Sequence, residues 1–268
     1  MKQVLSVQDL SCLGKCSLTV ALPVLSAMGC TATALPTTLL STHTAFPVPH
    51  RRSLTEDLMP ICRHWKSVGA SFDTVSVGYL ADAAQVQAVE QVLDAFSGAL
   101  TVIDPVMGDH GRLYSSIHED HVEAVKRLCC RANVLLPNVT EAALLTGIPY
   151  RQTTDMGYYR QLLEAMEVFG AEAVILTGVC LQEDILGCFG KDGAGEFSCQ
   201  NPRIPRQCHG TGDLFAAVVT GAMTRGMTAR DAASLAARFV ARVVEATPEV
   251  TPFGVFFEEV LPWLWEQL

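Results

Sequence analysis

The stretch 208–213, with the sequence Cys-His-Gly-Thr-Gly-Asp, is followed at once by the apolar run 214–219. Two glycines around a threonine are typical of a tight turn, and the apolar residues have helical spacing up to Arg225-Gly226, where a glycine favours a helix end. The first amides of a helix have no partner within it, and the helix dipole adds partial positive charge there. The stretch therefore predicts a glycine-rich loop that opens a helix and binds an anion, phosphate above all.

Asp213 lies at the start of this predicted helix, where its carboxylate would repel a bound anion unless it has a chemical task. One such task is to accept the proton of a hydroxyl group that attacks phosphorus. The alternative is structural, because an acidic residue in the first turn complements the helix dipole and the glycines then form only a turn. A single short motif is weak support for a function, so the stretch on its own leaves both interpretations open.

The overall composition is that of a chain that buries a large core. The 268 residues are 49% hydrophobic and 18% charged, with a formal net charge of −9 and a mean hydropathy of +0.27. An α/β chain of this length often folds as one unit, so we expect a single domain over residues 1–268. The negative charge argues against a nucleic-acid partner, which would need a basic patch.

The sequence also gives no sign of a membrane partner. No apolar run is long enough to span a bilayer. The brief apolar run near the N-terminus meets Gln8-Asp9, which is typical of a short strand rather than a signal peptide. We therefore expect a cytoplasmic protein.

The 10 cysteines lie inside apparent strands and helices, and no two pairs of them have the spacing of a zinc site. Reduced thiols buried in the core are therefore expected. Cys208 is the exception, because it borders the glycine loop, where a helix N-terminus can lower the pKa of a thiol. An inert, packed thiol is the alternative at that position.

Short apolar runs alternate with stretches of helical periodicity along most of the chain. The runs predicted as buried strands are 4–7, 31–35, 74–77, 100–104, 133–136 and 173–177. The predicted helices are roughly 15–28, 54–67, 82–96, 119–130, 139–146 and 155–169, with further helices between 211 and 246. Segments 185–191 and 195–201 predict an antiparallel hairpin. The alternation predicts an α/β fold with a mostly parallel central sheet and helices on both faces.

Polar residues and glycines follow the predicted parallel strands, and ligands of open α/β sheets bind at that edge. Asp104, Asp109 and Glu141 come from two neighbouring strand ends. Carboxylates close to a phosphate suggest Mg²⁺, which takes one or two protein oxygens and keeps several waters. The alternative for Asn138-x-x-Glu141 is a plain capping box. Loop 108–116 has the glycines and polar residues of a lid that closes over a nucleotide.

Three motifs in this order resemble the ribokinase superfamily: Gly210-Thr-Gly-Asp213, Asp104-Pro-Val-Met-Gly-Asp109 and Asn138-x-x-Glu141. The closer resemblance is to its vitamin B6 branch, the pyridoxal/pyridoxine/pyridoxamine kinases, and it covers almost the whole chain. Further segments that resemble this branch are Leu5-Ser-Val-Gln8, Ser41-Thr-His-Thr44, Val77-Gly-Tyr-Leu80, Leu136-Pro-Asn138 and Arg203-Ile-Pro205. The resemblance implies a ribokinase-like three-layer α/β/α fold.

The resemblance also implies an activity. In that family, ATP phosphorylates the 5′-hydroxymethyl group of pyridoxal, pyridoxine or pyridoxamine. Carried over to this chain, Asp213 is the general base, and the anion hole is made by the amides of Gly210, Thr211 and Gly212. Donors of this kind often supply the largest catalytic contribution.

The ligands that the resemblance implies are ATP, Mg²⁺ and the vitamer. The residues implied for Mg²⁺ are Asp104, Asp109 and Glu141. Those implied for ATP are Asp104, Asn138, Glu141, Thr177 and Thr211, and those for the vitamer are Ser6, Asp9, His43, Thr44 and Tyr79. The resemblance further implies a homodimer, and a monovalent cation such as K⁺ stays open as an additional cofactor.

Several residues depart from the family pattern: Asp9 stands where the family often has a serine, Leu39-Leu40 and Thr42 stand where many relatives are more polar, and His209 is an uncommon neighbour of the glycine loop. The nearest alternative function is a hydroxymethylpyrimidine kinase of the same superfamily, but its usual glycine-rich first loop does not match Leu10-Ser-Cys-Leu-Gly14. A sugar kinase is less favoured, because its early lid hairpin has no room between the first two strands. A ligand-binding relative without turnover is the alternative from another class, and the presence of Asp213 and Glu141 argues against it.

Overall fold

The computed structural model describes residues 1–43, 46–115, 117–206, 208–248 and 252–268. Its strands are β1 (Gln3–Leu13), β2 (Thr31–Thr42), β3 (Arg51–Ser53), β4 (Thr74–Val77), β5 (Leu100–Ile103), β6 (Gly108–Asp109), β7 (Arg112–Leu113), β8 (Val134–Leu135), β9 (Ala173–Gln182), β10 (Ile185–Asp192) and β11 (Gly195–Pro202). Nine of them form one sheet in the order β11-β10-β9-β8-β5-β4-β1-β2-β3, and β6 pairs with β7 separately. The strands from β9 to β2 in this order are parallel, whereas β10 is antiparallel to both β9 and β11, and β3 is antiparallel to β2.

Helices cover both faces of this sheet. They are α1 (Leu18–Ala27), α2 (Thr55–Ser67), α3 (Ala83–Ala95), α4 (Glu119–Cys129), α5 (Val139–Thr146), α6 (Met156–Met166), α7 (Thr211–Thr224), α8 (Ala229–Ala246) and α9 (Leu261–Glu266), with 3-10 turns at Glu167–Phe169 and Glu258–Val260. Buried side chains of α2 to α6 form one apolar layer, and those of α1, α7, α8 and α9 form the other. Within the described ranges, no helix is both long and apolar enough to cross a membrane.

Strand β1 lies near the middle of the sheet and is buried on both sides. Leu5 and Val7 pack in the layer of α2 to α6, whereas Val4 packs in the layer of α1 and α7. Successive side chains of a strand point to opposite faces, so a parallel strand between two helical layers has to be almost continuously apolar. The predicted fold, an α/β/α arrangement around a mostly parallel sheet, is confirmed.

Strands β1 and β2 are longer than the sequence predicted, because they continue beyond residues 7 and 35 to Leu13 and Thr42. The polar residues that suggested an early end of β1 have partners inside the fold. Gln8 Nε2 donates to Ser6 Oγ at 3.0 Å, and the β1–β2 register shifts between Gln8 and Leu10 without ending the ladder. Strand β1 therefore carries the polar residues Gln8, Asp9 and Ser11 into the buried interior.

The parallel strands end at one edge of the sheet, and the start of α7 lies at the same edge. Two parallel bridges close this edge, one between Asn138 and Thr177 and one between Lys15 and Gly254. The second bridge joins the loop after β1 to a segment near the C-terminus. The described edge therefore gathers residues from most of the length of the chain.

Candidate active site

The glycine loop opens α7, as the sequence predicts. Gly210 is the N-cap residue of this helix, and its φ of 87° is a left-handed conformation that favours glycine. A Cβ atom at Gly210 would lie 2.4 Å from the carbonyl oxygen of Lys15. The first intrahelical bond runs from the Leu214 amide to the Gly210 carbonyl at 3.0 Å. The amides of residues 211–213 therefore have no partner within the helix, which is the geometry of an anion site.

The carboxylate of Asp213 accepts a hydrogen bond from the backbone N–H of Ser17, in the loop between β1 and α1. Desolvation raises the pKa of Asp213 to about 7, the charge of Asp9 acts in the same direction, and the Ser17 amide opposes both. A carboxyl group with a pKa near neutrality exchanges its proton at physiological pH, as a general base must. The structure therefore gives Asp213 the electrostatics that its predicted role requires.

Ser17 is a site residue that the sequence did not reveal, because it fell within a predicted helix that begins at residue 15. Its φ of 52° and ψ of −127° form a conformation that is rare for residues other than glycine. Its hydroxyl donates to Asp9 Oδ1 at 2.5 Å, and the hydroxyl of Ser11 donates to Asp9 Oδ2 at 3.0 Å. Asp9 is thus the anchor that fixes Ser17, and Ser17 in turn reaches Asp213.

Asp9 itself is 2% exposed, and burial raises the pKa of its carboxyl group against the effect of the two serine hydroxyls. Both carboxylate oxygens are therefore directed to groups of the protein. A contact between Asp9 and a vitamer stays a prediction.

Asp104, directly after β5, and Glu141, in the first turn of α5, form an acidic pair. Loss of solvent raises the pKa of both carboxyl groups, and the charges of Glu141 and Asp213 raise the pKa of Asp104 further. Backbone N–H groups of Asn138, Met107 and Gly108 partly offset the effect on Glu141. A pair of carboxyl groups that disfavour each other's charge has the donor chemistry of a divalent-cation site.

Asn138 and Glu141 also form a true capping box at the start of α5. Glu141 N donates to Asn138 Oδ1 at 2.9 Å, and Asn138 N donates to Glu141 Oε2 at 2.8 Å. The remaining Glu141 oxygen accepts from Met107 N at 3.1 Å, and Asn138 Nδ2 donates to the Gly108 carbonyl at 2.9 Å. The structural alternative from the sequence is therefore present. Asn138 also bridges to Thr177 in β9, so it links the Gly108 carbonyl to that strand.

Asp109 is more exposed than the other two acidic residues, and its charge helps to raise the pKa of Glu141. Its exposed carboxylate accepts from the amide of His110 at 2.7 Å and lies 3.5 Å from the ring nitrogen Nε2 of that residue. In the part of the chain that the structure describes, no three His, Cys, Asp or Glu side chains converge to hold a metal ion. The predicted metal trio is therefore not preassembled, and Asp109 as a ligand stays a prediction.

The residues predicted for the vitamer differ in their surroundings. Ser6 is fully buried beside Gln8, Tyr79 is 9% exposed at the end of β4, and Thr44 lies outside the described residues. His43 Nε2 lies 2.9 Å from the Pro252 carbonyl, and its ring centroid lies 5.0 Å from that of His209. His43 is thus the predicted residue that the structure places beside the glycine loop.

All cysteines of the chain are free thiols, and Cys208 is half-buried beside the loop. Burial raises the pKa of the Cys208 thiol, and the charge of Arg206 offsets only part of this effect. The direction of this shift favours the inert, packed thiol over a thiol activated by the helix start, because desolvation outweighs the nearby positive charge.

Comparisons with known proteins agree with this geometry. The family model described as phosphomethylpyrimidine kinase matches residues 21–254. The crystal structure of pyridoxal kinase from Lactobacillus plantarum superposes with a TM-score of 0.91 at 35% identity, and the match covers 100% of this chain and 98% of that one.

Two curated relatives point to the two branches that the sequence suggested. The pyridoxine/pyridoxal/pyridoxamine kinase of Bordetella avium is 30% identical over 83% of this chain and 78% of that protein. The hydroxymethylpyrimidine/phosphomethylpyrimidine kinase of Streptomyces coelicolor is 32% identical, but over only 58% of this chain and 56% of that protein. The chain therefore belongs to the phosphomethylpyrimidine kinase family and has the ribokinase-like kinase fold that its motifs indicated.

Proposed function

We propose that the protein phosphorylates the 5′-hydroxymethyl group of a vitamin B6 vitamer (pyridoxal, pyridoxine or pyridoxamine) with ATP as the phosphoryl donor. The observation that carries this proposal is the position of Asp213. Its carboxylate, with a pKa of about 7, lies in the first turn of a helix whose leading amides have no partner within it. The long matches to B6 kinases from Lactobacillus plantarum and Bordetella avium support this substrate class over others.

In this mechanism the residues of the chain deprotonate the hydroxyl group of the vitamer and stabilise the charge on the phosphoryl group that is transferred. Asp213 takes the proton of the vitamer hydroxyl while its oxygen forms a bond to the γ-phosphorus, and the bond to the β,γ-bridging oxygen breaks so that ADP leaves with that electron pair. The amides of Gly210, Thr211 and Gly212 stabilise the charge on the transferring group. One donor of this kind is worth about 3 kcal/mol in a transition state.

The residues that fit Mg²⁺ are Asp104 and Glu141, because each has a raised pKa that a bound cation would lower again. Asp109 is the third predicted ligand. The ion would neutralise the phosphate oxygens and orient them for in-line transfer. Asn138 and Thr177, which form a parallel bridge, belong to the proposed ATP site.

The second candidate is phosphorylation of hydroxymethylpyrimidine, a similar flat heteroaromatic alcohol. The observation in its favour is the matched family model and the Streptomyces coelicolor relative. The shorter span of that relative ranks this candidate below the B6 vitamers.

The test is a coupled assay of ADP formation with Mg²⁺, in which pyridoxal, pyridoxine, pyridoxamine and hydroxymethylpyrimidine are offered separately. Asp213→Ala serves as the blank. We expect turnover with at least one vitamer that the blank lacks. Turnover with the pyrimidine alone would assign the second candidate, and ADP formation that is equal in the blank would contradict both.

The proposal includes a homodimer in the cytoplasm. Sedimentation velocity of the purified protein tests the dimer, and a single species with the mass of one chain at micromolar concentration would contradict it. Fluorescence microscopy of a tagged chain tests the location.

A further inference from the structure

Three backbone carbonyl oxygens converge on one nitrogen atom of Arg206, two residues before Cys208. Arg206 Nη1 donates to the carbonyl oxygens of Val244 at 3.1 Å, Glu245 at 3.0 Å and Thr247 at 2.5 Å. Arg206 is half-buried, so this guanidinium group is partly withdrawn from water. The group therefore fills the centre of a carbonyl cluster.

The cluster is the C-terminal end of α8, where the last carbonyl groups of a helix have no partner within it and carry partial negative charge. The last turn of α8 contains no basic residue of its own. Thr247 is 1% exposed, and its hydroxyl accepts a hydrogen bond from the Phe256 amide at 3.0 Å, which fixes the turn after the helix. The positive charge that this helix end needs is therefore brought by Arg206 from another part of the chain.

A cluster of carbonyl oxygens at this spacing has the chemistry of a monovalent-cation site, because such oxygens replace the hydration shell of K⁺. A potassium ion at its centre would lie within about 3 Å of a guanidinium nitrogen that is always charged, and the repulsion would exclude the ion. The residues present at this helix end thus do not fit a bound monovalent cation. They fit instead the positively charged side chain of Arg206, which belongs to the chain itself.

The location ties this cluster to the candidate catalytic loop. Arg206 lies two residues before Cys208 in the sequence, and its charge acts on the pKa of this thiol at the start of the glycine loop. We propose that Arg206 is a built-in cation that takes the place of a potassium ion beside the anion-binding loop, so that the enzyme works without any added monovalent cation. This inference rests on the proposed kinase function for its rate measurement, but not for its stability measurement.

The first experiment uses the wild-type holoenzyme with Mg-ATP and a vitamer. Its rate is measured in tetramethylammonium chloride and in KCl at the same ionic strength of about 0.1 M. Tetramethylammonium is too large for the carbonyl cluster, so it serves as the inert salt. We expect equal rates within about twofold. A loss of about tenfold or more without K⁺ would overturn the proposal, because the chain would then depend on a cation that Arg206 should replace.

The second experiment opens the cluster with Arg206→Ala. In tetramethylammonium chloride we expect the rate of this variant to fall about tenfold or more, and K⁺ or low-millimolar guanidinium ion to restore part of it. Arg206→Lys keeps a charge at the same place and is expected to retain more activity and to respond less to K⁺. Arg225→Ala is the matched control, because Arg225 Nη1 also donates to a backbone carbonyl, that of Met28, at 3.2 Å near the far end of α7.

Thermal unfolding provides a readout that needs no turnover. We expect K⁺ to raise the Tm of Arg206→Ala but not of the wild type or Arg225→Ala, since a ligand that binds only the folded state stabilises it. If neither K⁺ nor guanidinium changes the rate or the Tm of Arg206→Ala, the proposal is overturned. If no alcohol is phosphorylated at all, the proposed function fails, and the Tm comparison still decides the role of Arg206.

Discussion

The backbone N–H of Ser17, a residue that belongs to no recognisable motif, acts on the carboxylate of Asp213 and opposes the rise of its pKa. The Ser17 amide reaches Asp213, its hydroxyl reaches Asp9, and its backbone keeps a conformation that few residues other than glycine adopt. Strain of this kind persists only where surrounding contacts over-determine it, and it concentrates at functional sites. The chain Asp9–Ser17–Asp213 therefore joins two carboxyl groups that would otherwise be independent.

The pH profile tests the assignment of Asp213. A general base has to be deprotonated, so we expect kcat/KM to rise with pH through the pKa of about 7 and to level off above it. Asp213→Asn is expected to lose ~10²–10⁴-fold in kcat. A loss of less than about tenfold would mean that another group takes the proton.

The same raised pKa has a consequence for stability. Because the folded state holds the Asp213 proton more tightly than the unfolded state, its contribution is complete below the unfolded pKa of 3.8 and is lost as pH rises through about 7. We expect the free energy of unfolding to fall over this interval in the wild type and to fall less in Asp213→Asn. Urea unfolding at several pH values measures the difference, and identical pH dependence in the two proteins would contradict the shift.

Asp9→Asn tests whether Asp9 acts through the base. The change removes a negative charge that raises the pKa of Asp213, so we expect the acid limb of kcat/KM to move to lower pH. Ser11→Ala is the control, since it removes one hydrogen bond to Asp9 but keeps the charge. An equal displacement of the limb in both variants, or none in Asp9→Asn, would assign Asp9 a purely structural role.

At the scale of elements, periodic helices were predictable to within a few residues, and α5 matches its predicted bounds of 139–146. The long strands β1 and β2 were not, because their polar residues suggested a turn while the fold supplies these residues with internal partners. At the start of α2, the Ser53 hydroxyl bonds that of Thr55 at 2.7 Å, and the helix begins without a side-chain cap.

In the candidate site, too, residues placed by local patterns were predictable and residues placed by distant contacts were not. Motif residues at the start of α7 and α5 were placed correctly from sequence, since glycine and capping patterns act locally. Ser17 and Arg206 were missed, because their roles depend on contacts with residues 196 and 38 to 41 positions away, which no local pattern encodes.

Gly210→Ala tests the close approach at the start of α7. The new Cβ would meet the Lys15 carbonyl and would sit on a backbone with positive φ, so we expect a loss of about 1–3 kcal/mol in the free energy of unfolding. Gly212→Ala is the control for stability, because a Cβ there meets open space. Chemical denaturation measures both, and an equal cost at the two positions would contradict the packing argument.

Glu141→Gln tests the acidic pair at the start of α5. Glutamine keeps an oxygen for the capping box but removes one of the two charges that Mg²⁺ would neutralise. We expect a higher Mg²⁺ concentration for half-maximal rate and a smaller Mg²⁺-induced rise in Tm than in the wild type. Asp231→Asn, at the start of α8, is the control for a first-turn acid without a metal role. An unchanged Mg²⁺ titration would mean that Glu141 acts only in the capping box at the start of α5.

On the scale of the whole molecule, the two ends of the chain meet at the site. Lys15 N donates to the Phe253 carbonyl at 2.7 Å, and Lys15 Nζ pairs with Glu258 at 2.7 Å and lies 4.0 Å above the Phe256 ring. The segment 253–258 thus covers the loop that carries Ser17. The positions of Ser17 and Asp213 therefore depend on residues that contact neither of them.

Phe257→Ala tests this dependence. Phe257 is 2% exposed, so its truncation is expected to cost about 3–5 kcal/mol in the free energy of unfolding and to lower kcat with it. Phe256→Ala is the matched neighbour, because Phe256 is 42% exposed and should cost less than about 1 kcal/mol. Equal losses at the two positions, measured by urea unfolding, would contradict a buried anchoring role for Phe257.

Segment 253–258, which covers the loop between β1 and α1, is among the last parts of the chain to be synthesised. A ribosome has made every predicted catalytic residue by the time it reaches Asp213, yet Lys15 still lacks its bridge to Gly254 and its partner Glu258. Domains acquire their structure as the emerging chain allows. We therefore expect a nascent chain that ends before Glu258 to carry all the motifs but to lack the contacts that hold Lys15 in place.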